Sequence, residues 1–402
     1  MRLGHIVNLE SLGGVEVQFA EFAAHTRHRH EIDHALLMTD RRIHDYLDKE
    51  IRAVIPTVLH SQHLLGRQLP RKPQWVRDRF LAESARRLRT DVQLFWNRLT
   101  GGSHALAEAR AFEPEKNIFW DHGASWLAPD NTKARSMLAH MGQAISNSWA
   151  SKRMLELRWN FTGPITVCRN ALRPSLVPPS RPLRTLERRR PLRLGIAARL
   201  LSLKGIASAI HAIPILRARG MPVELHIAGD GPDRDALYQL GCRLGVDSVI
   251  FYQGLVRDMG AFYAGIDCLV HLSLREPFGG VLVEAMAHGC PVIATRIDGM
   301  AEIVRDGVDG RSLAPTLSIS DYRNLDAPVH GLPDYVYDPD VDDIVGPRAV
   351  NPEDVAEAVQ YVFRDEATYA AMSDQAARRV MDDFAFSDHA DEVMRVLRPY
   401  EG

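Results

Sequence analysis

The sequence predicts an α/β protein built from two doubly wound, Rossmann-like domains that face a cleft. Three observations lead to this prediction. Short apolar runs of strand length alternate with segments of helical periodicity along the 402 residues. In the second half these runs are apolar at successive positions, which is typical of parallel strands covered by helices on both sides. Residues 178–191 are rich in Pro and Arg, have no hydrophobic period and separate the two halves.

We therefore expect an N-terminal domain over residues 1–177, a linker over residues 178–191 and a C-terminal domain over residues 192–383. At about 100–200 residues per domain, the chain length also favours two domains. Residues 315–350 form an insertion in the second domain, because their prolines, aspartates and aromatic residues follow no period. Two interpretations of this insertion stay open, a lid over an acceptor and a mobile surface loop.

In the first half, apolar runs predict strands and segments with helical spacing predict the helices between them. The strands are predicted at Leu3–Asn8, Ile32–Met38, Ala53–Val58, Val92–Asn97, Asn117–Trp120, Ala144–Ser146 and Ile165–Cys168. The helices are predicted at Val15–Thr26, Gln74–Arg89 and Ala150–Arg158.

The second half repeats this alternation more regularly. Its strands are predicted at Leu192–Ala198, Val223–Ala228, Ser248–Tyr252, Cys268–Leu272 and Pro291–Thr295. Its helices are predicted at Gly205–Arg219, from Pro232 onward, and at Gly260–Ala264, Gly280–His288, Met300–Arg305, Asn351–Phe363, Ala367–Met381 and Phe384–Leu397. In such sheets ligands bind at the carboxyl ends of the strands.

The charges of the chain nearly cancel, since 49 Lys+Arg face 51 Asp+Glu and leave a net charge of −2. That balance argues against a protein that binds nucleic acid by charge, so no nucleic-acid partner is expected. The cysteines form no CxxC pair and lie in or beside apolar runs, at Cys168, Cys242, Cys268 and Cys290. This pattern indicates buried thiols in a reducing compartment rather than a disulfide framework or a metal site.

The N-terminus lacks the basic-then-apolar pattern of a signal peptide, and no run approaches ~18 apolar residues. We therefore expect a cytoplasmic location. The basic residues of 67–79 and 86–89 allow peripheral contact with an anionic membrane at its inner face through the N-terminal domain. The alternative is that they are a solvated helix face. The oligomeric state is left open.

The strongest chemical signal is the stretch from Glu276 to Glu284, which follows a predicted strand and opens a predicted helix. Gly279 and Gly280 lie at the helix start, where unpaired backbone N–H groups and the positive end of the dipole suit a diphosphate. A carboxylate at Glu284, about one turn into the helix, can accept hydrogen bonds from ribose hydroxyls. Glu276 can do the same for a second sugar. The alternative is a tight turn beside a solvated carboxylate.

Two cations lie in the loop after the strand Leu192–Ala198. The guanidinium of Arg199 and the ammonium of Lys204 are five residues apart, so both can reach one pyrophosphate. The alternative is that both are ordinary surface charges.

Two weaker signals lie in the first half. Gly13 and Gly14 follow the first predicted strand and leave helix N–H groups free for a ligand. His122 stands at the end of a later predicted strand, between Trp120 and Trp126, where it can hydrogen-bond a sugar hydroxyl. The glycines do not form GxGxxG, which disfavours a dinucleotide site.

These residues resemble the retaining glycosyltransferases of family 4, which have the GT-B fold. The matching stretches keep their order from residue 199 to residue 310: RLLSLKG (199–205), ELHIAGDGPDRDAL (224–237), FYQG (251–254), EPFGGVLVEAMAHGCPVIAT (276–295) and EIVRDGVDG (302–310). The first half resembles the family more loosely, through GGVE (13–16), DHGASW (121–126) and RNALRP (169–174). Departures occur at Ala171, Ala198 and Asp298-Gly299, where the family commonly has glycine or an Asn-Gly pair.

The resemblance implies transfer of a sugar from a nucleotide donor with retention, without a metal ion or other cofactor. It implies catalytic roles for the set Glu276, His122, Arg199 and Lys204. It implies donor binding by the set Gly13, Gly14, Arg199, Lys204, Gly254, Val256, Glu276, Phe278, Gly279, Gly280, Val281 and Glu284. The family's C-terminal helix commonly crosses back to the first domain, so residues 384–402 are expected to join it.

The expected partners are a nucleotide sugar, with UDP favoured and GDP next, and a hydroxyl acceptor. That acceptor is a glycan, a lipid-linked glycan or a small molecule. Two alternatives remain at this point. One is a nucleotide-sugar epimerase on the same fold, which would release a changed sugar without an acceptor. The other is a sensor or scaffold that binds the sugar nucleotide without turnover.

Overall fold

The computed structural model describes residues 1–11, 13–39, 42–64, 67–69, 74–187 and 189–400. Contacts divide the chain into two compact units. The first unit contains Met1–Arg169 together with the C-terminal residues from Ser387, and the second contains Asn170–Phe386. The C-terminal residues are therefore grouped with the first unit, although they follow the second in the sequence.

The division lies at Arg169/Asn170, so residues 170–177 and the predicted linker 178–191 are part of the second unit. Arginines hold this stretch in place. Arg184 donates to the carbonyls of Tyr263 and His288 at 2.6 and 2.8 Å. Arg190 pairs with the Asp267 carboxylate at 2.7 Å. The stretch lacks an apolar period because guanidinium groups, rather than buried side chains, attach it.

The first unit contains one large parallel sheet and its covering helices. The strands are β1 Arg2–Val7, β2 Asp33–Met38, β3 Thr57–His60, β4 His63–Leu64, β5 Arg67–Gln68, β6 Val92–Trp96, β7 Asn117–Asp121, β8 Gln143–Ser146 and β9 Ile165–Val167. The helices are α1 Gly14–Arg29, α2 Asp45–Val54, α3 Gln74–Leu88, α4 Gly102–Arg110, α5 Ala124–Leu127, α6 Thr132–Leu138 and α7 Trp149–Leu157.

The second unit has the same plan with an added hairpin. Its strands are β10 Leu192–Ala197, β11 Val223–Ala228, β12 Ile250–Gly254, β13 Cys268–His271, β14 Val292–Thr295, β15 Gly310–Leu313, β16 Val336–Asp338 and β17 Asp343–Val345. Its helices are α8 Ile206–Ala218, α9 Arg234–Arg243, α10 Met259–Gly265, α11 Gly280–Ala287, α12 Ile319–Asn324, α13 Pro352–Val362 and α14 Glu366–Asp383. Helix α15, Phe386–Leu397, follows them.

Both large sheets are parallel and doubly wound, which confirms the predicted fold class of two Rossmann-like domains. The strand order is β3-β2-β1-β6-β7-β8-β9 in the first unit and β12-β11-β10-β13-β14-β15 in the second. The chain reverses its direction of winding between β1 and β6, and again between β10 and β13. Such switch points leave a crevice at the carboxyl ends of the two central strands, where ligands bind.

Helices cover both faces of the second sheet, because residues next to each other on a strand point to opposite sides. On β13, Val270 packs in one buried cluster with Ile196 of β10, while its neighbour Leu269 packs in another cluster with Ala197. The continuous apolar runs that predicted this sheet are the result of burial on both sides.

Several elements differ from their predictions. The strand predicted at Ala53–Val58 begins only at Thr57, because the preceding residues complete amphipathic helix α2, which buries Leu47, Ile51 and Val54. The helix predicted at Met300–Arg305 is a 3-10 turn, Asp298–Glu302. The insertion 315–350 contains α12 and the β16–β17 hairpin. Of the four cysteines, Cys242 is exposed, so the prediction of buried thiols was wrong for that residue.

Gly205 lets two loops of the second unit meet at the switch point. It lies between a 3-10 turn and α8, with a φ of 65° that favours glycine. A Cβ atom built there would collide with the carbonyl of Leu272, which follows β13. The loop after β10 therefore approaches the end of β13 backbone to backbone.

We predict that Gly205→Ala lowers the free energy of unfolding of the second unit by about 3 kcal/mol, from the positive φ and the collision together. Gly220→Ala is the matched control, since Gly220 has a φ of 75° but a Cβ there would meet no atom within 4 Å. It should cost about 1 kcal/mol. Urea unfolding followed by circular dichroism measures both, and equal losses would contradict the proposed close approach.

Candidate active site

The second unit contains a cavity of about 580 Å³ at the carboxyl ends of its central strands. Its lining comes from the ends of strands and the loops that follow them, from two helices and from Arg173. The residues are Ala197, Ala198 and Arg199 at the end of β10, Ala228–Gly231 at the end of β11, Leu255 and Val256 after β12, Met259 and Tyr263 on α10, and Val281 and Glu284 on α11. The wall is mainly apolar, with a few charged groups. Such a lining is typical of pockets that bind small molecules.

Glu284 is the carboxylate of this cavity, and both of its oxygens are engaged. Arg173 donates from Nε and Nη2 to Oε1, at 3.0 and 2.8 Å. The hydroxyl of Tyr263 donates to Oε2 at 2.7 Å. Burial raises the pKa of Tyr263, and the neighbouring Glu284 carboxylate raises it further. Tyr263 therefore remains a hydrogen-bond donor at neutral pH.

A second charged cluster lies in the same unit, where the loops after β10 and β13 meet. Lys204 Nζ is 2.6 Å from Glu276 Oε2, and His271 Nε2 is 3.2 Å from the same oxygen. Burial would raise the pKa of Glu276, but Lys204 and His271 outweigh it and hold that pKa well below its usual range. Glu276 is thus a firmly ionised carboxylate, and Lys204 is the cation that compensates it.

The glycines before α11 shape its first turn. Gly279 has a φ of 102°, a conformation that side chains rarely adopt, and Gly280 has open space around its Cα. The first N–H groups of a helix have no partner within it, so this turn can donate to an anion. Phe278 differs from the expectation, because its side chain is buried in the core against Phe384 and only its backbone can contact a ligand.

The structure groups the predicted donor-binding residues of the second unit in two places. Arg199, Val256, Val281 and Glu284 line the cavity. Lys204 and Glu276 pair with each other instead. Gly254 ends β12 with a φ of 66°, and its carbonyl accepts from the N–H of Gly229, which lines the cavity, at 2.7 Å.

In the first unit, Gly13 and Gly14 begin α1 as predicted, but an acidic side chain already occupies this helix start. A Cβ atom at Gly13 would lie 2.8 Å from Glu16 Oε2. Burial raises the pKa of Glu16, and backbone hydrogen bonds from Glu16 and Gly13 oppose that rise. An anionic ligand at these amides must therefore displace a carboxylate.

His122 is buried at the end of β7, on a loop that Asn97 holds. Asn97 Oδ1 accepts the N–H groups of His122 and Ala124 at 3.2 and 2.8 Å. The imidazole stacks on Trp96, with ring centroids 5.3 Å apart. Neither ring nitrogen has a hydrogen-bond partner among the described residues, and burial lowers the pKa of His122 to about 3. The ring is therefore neutral, and both of its nitrogens are buried.

Three residues of these clusters were missed from the sequence. Arg173 lies 111 positions from Glu284, so only the fold brings them together. Tyr263 is 21 positions away on α10, and nothing in its neighbourhood distinguishes it. His271 could have been found, because it is a polar residue that ends the buried strand β13.

A family profile described as "Glycosyl transferases group 1" matches residues 191–322. The lipopolysaccharide core biosynthesis glycosyltransferase LpsE of Rhizobium meliloti is 38% identical over 112 residues, which are 28% of this chain and 32% of that protein. The profile match includes the loop that carries Arg199 and Lys204.

Over residues 191–322 the chain matches the group 1 glycosyltransferases, the family-4 type.

Other similarities agree with this family. The glycogen synthase of Mycobacterium tuberculosis is 31% identical over 223 residues, which are 52% of this chain and 50% of that protein. The chain thus spans about a third to a half of the length of these curated relatives. HepE of Anabaena in complex with UDP has a TM-score of 0.71 at 18% identity, covering 99% of this chain and 100% of that one. This likeness identifies the fold, which is that of the GT-B glycosyltransferases.

Two expectations concern the surface of this chain. Across the described ranges, none of the helices combines the length and hydrophobicity that crossing a membrane requires. The basic stretch 67–79 lies partly outside the described residues, since 70–73 are among those not described. Arg86 and Arg87 are exposed and pair with Glu83. Membrane contact of the first unit stays a prediction.

We predict that Lys204→Met destabilises the second unit by about 3 kcal/mol, because removal of one partner leaves a mostly buried carboxylate uncompensated. The double variant K204M/E276Q should recover most of that loss, since it removes both charges. Urea unfolding of the two variants measures the difference. A double variant less stable than K204M would show that the pair is not coupled in this way.

The buried histidines of the first unit predict a loss of stability in acid. Burial lowers the pKa of His34 and His122 to about 3 and that of His389 to about 4. The unfolded chain binds these protons near pH 6.5, so stability falls as the pH drops below that value. At pH 5 the loss is about 2 kcal/mol per histidine. Asp121, whose pKa burial raises to about 6, offsets about 1 kcal/mol of this in the same range.

All 6 tryptophans precede residue 170, so their fluorescence reports the first unit. Urea unfolding followed by this signal should show falling stability from pH 7 to pH 5. His122→Phe keeps a ring stacked on Trp96 but cannot titrate, so its pH dependence should be weaker by about 2 kcal/mol. An unchanged slope in this variant would mean that His122 is accessible to protons in the folded state.

Proposed function

We propose that this chain transfers a sugar from a nucleoside diphosphate sugar to a hydroxyl acceptor, with retention at the anomeric carbon. The observation that carries the proposal is the cavity of the second unit, whose mainly apolar wall includes the guanidinium of Arg199 and the carboxylate of Glu284. Arg199 supplies charge for the diphosphate, and Glu284, on α11, supplies acceptors for the ribose. The switch-point position of this cavity supports a nucleotide as its ligand.

Glu284 retains capacity for a ribose hydroxyl. A carboxylate has about four lone-pair sites. Arg173 uses two hydrogen bonds on Oε1, and Tyr263 uses one on Oε2. One site on Oε2 remains for a hydroxyl of the ligand. Arg173 balances the charge, so the carboxylate repels a nearby phosphate less than a free glutamate would.

Stabilisation of the leaving group is the main catalytic contribution in this proposal. The bond between the anomeric carbon and the diphosphate oxygen breaks, and negative charge develops on the diphosphate. Arg199 and the first N–H groups of α11 donate to that charge. Lys204 adds a positive charge nearby while it compensates Glu276, which accepts hydrogen bonds from hydroxyls of the transferred sugar.

The acceptor oxygen bonds to the anomeric carbon from the face that the diphosphate leaves, which retains the configuration. Its proton passes to an oxygen of the departing diphosphate, so the step requires no separate general base. These steps use side chains and backbone amides of this chain and call on no metal or other cofactor. His122 and the amides at Gly13 and Gly14 are proposed to act from the first unit, on the transferred sugar and the phosphate.

UDP is the donor nucleotide that we favour, because HepE of Anabaena, which has the same fold, is described in complex with UDP-glucose. GDP is the next choice, because a relative from Mycolicibacterium smegmatis, 32% identical over 152 residues, is named a GDP-mannose-dependent mannosyltransferase. The acceptor that we propose is a glycan or lipid-linked glycan hydroxyl, in line with the name of LpsE. The proposed location is the cytoplasm or the inner face of its membrane.

Thermal unfolding in the presence of UDP, GDP, UDP-glucose and GDP-mannose tests the donor site. A ligand at 100 times its dissociation constant adds about 2.7 kcal/mol of stability. We expect one of the two nucleotides, together with the corresponding nucleotide sugar, to stabilise the protein against thermal unfolding. Analysis of the products separates the alternatives, because an epimerase changes the donor sugar without acceptor, and a sensor binds it without turnover. Stabilisation by neither nucleotide would refute the proposal.

Arg199→Ala should lower kcat/KM for transfer by about 100-fold, the size of effect seen when one donor to a developing charge is lost. Its side chain is exposed, so the melting temperature should stay within about 2 °C. Arg243→Ala is the control, because Arg243 is also exposed and pairs only with Asp326 on the described surface. Equal activities of the two variants would remove Arg199 from the site.

A further inference from the structure

Two features of the second unit have no part in the proposed chemistry, namely the insertion 315–350 and the Asp298-Gly299 pair. The structure connects them. The insertion contains the antiparallel hairpin β16–β17, and Asp298 begins the 3-10 turn after β14. Asp298 joins this hairpin to the loop that holds Glu276.

Asp298 forms this connection with both carboxylate oxygens. Oδ1 accepts the N–H of Tyr337 in β16 at 2.7 Å. Oδ2 accepts the N–H of Glu276 at 2.9 Å. The residue is 1% exposed and has a φ of 47°, which is uncommon for a side chain other than glycine. A conformation of this kind persists where surrounding contacts hold it.

The hairpin is itself anchored to the second unit. Val336 is fully buried, in the cluster that contains Phe278 and Met300. Arg296, just after β14, pairs with Asp340 in the hairpin turn at 2.7 Å. At the base of the insertion, Leu317 and Ala349 form a β-bridge. The hairpin therefore packs against the core beside the loop of Glu276 and does not extend freely from the surface.

Glu276 is consequently held on three sides. Its N–H donates to Asp298, its carbonyl accepts from Gly299 N–H at 3.2 Å, and its carboxylate pairs with Lys204. Two of these contacts come from the Asp298-Gly299 pair. A Cβ atom at position 299 would collide with the carbonyl of Pro277, so Gly299 is required for the close approach.

We infer that Asp298 and the hairpin Val336–Val345 form a positioning unit that sets Glu276 for the transferred sugar, and thereby determine the donor sugar rather than the nucleotide. The inference rests on the proposed function. Asp298 contacts the backbone of Glu276 and acts through it. Glu284 is held by Arg173 and Tyr263, and Asp298 is not among the described residues that line the cavity with Arg199, so the nucleotide affinity should not depend on Asp298.

Asp298→Asn tests this inference, because an amide oxygen can accept only one of the two N–H groups while the volume is kept. UDP and UDP-glucose are the probes, or GDP and GDP-mannose if the wild type prefers them, with binding measured by calorimetry. We expect the affinity for UDP to stay within 2-fold, the affinity for UDP-glucose to fall at least 10-fold and kcat to fall with it. Asp343→Asn is the control, with the same change on an exposed hairpin residue.

Hydrogen exchange provides a readout that requires no ligand. The amides of residues 275, 276 and 278 should exchange faster in D298N than in the wild type or D343N, because the Glu276 N–H loses its acceptor in a fraction of molecules. Unchanged exchange would overturn the inference. If the wild type bound neither sugar nucleotide, that result would refute the proposed function instead, and the exchange measurement would still test the inference. An equal loss of UDP and UDP-glucose affinity would also overturn it, since that is the result of general damage.

Arg296→Ala is the second variant and serves if D298N does not fold. It removes only the partly exposed ion pair with Asp340 and so loosens the hairpin without touching the core. We expect UDP-glucose affinity to fall about 3-fold with UDP affinity unchanged. R296A could instead bind both probes as the wild type does, with its amides at residues 275, 276 and 278 exchanging at the wild-type rate. In that case the hairpin does not position Glu276.

Discussion

The ion pair between Lys204 and Glu276 is the contact on which the rest of the second unit's site depends. The two residues follow β10 and β13, the central strands that meet at the switch point. Because a buried carboxylate is costly without a cation, this pair requires the two loops to meet in one arrangement. Gly205, the next residue after Lys204, makes the same meeting possible for the backbone. The charge compensation of Glu276 and the close backbone approach at Gly205 therefore occur at the same place, where the loops after β10 and β13 meet.

The fold class could be predicted because its signal is local and repeated. Runs such as Cys268–Val270 are apolar at successive positions because both faces of the strand are buried, and this pattern recurs along the second half. The edges of elements were less predictable. Ala53 and Val54 have the composition of a strand, yet they complete α2, because the spacing of Leu47, Ile51 and Val54 lets the helix bury one face. Burial of this helical face decided between the two periods.

The candidate site was predictable where motif and element coincide. Arg199, Val281 and Glu284 line one cavity because Arg199 follows a strand, and Val281 and Glu284 lie in the first half of a helix, at the same sheet edge. The partners of these residues were not predictable, since Arg173 reaches Glu284 from a part of the chain without regular structure. The sequence also could not show that Phe278 turns into the core. Whether a side chain at a helix start faces the core or a ligand depends on backbone angles, such as the φ of 102° at Gly279.

The helix α15 belongs to the first unit but follows the whole second unit in the chain. Its His389 hydrogen-bonds Gln18 and the carbonyl of Arg169, and packs beside Trp120. During synthesis, the ribosome makes these partners long before it makes His389. The nascent first unit therefore lacks α15, and this part of its interior stays uncovered while residues 170–386 emerge from the ribosome and fold. A domain that usually folds first in a growing chain is here completed last.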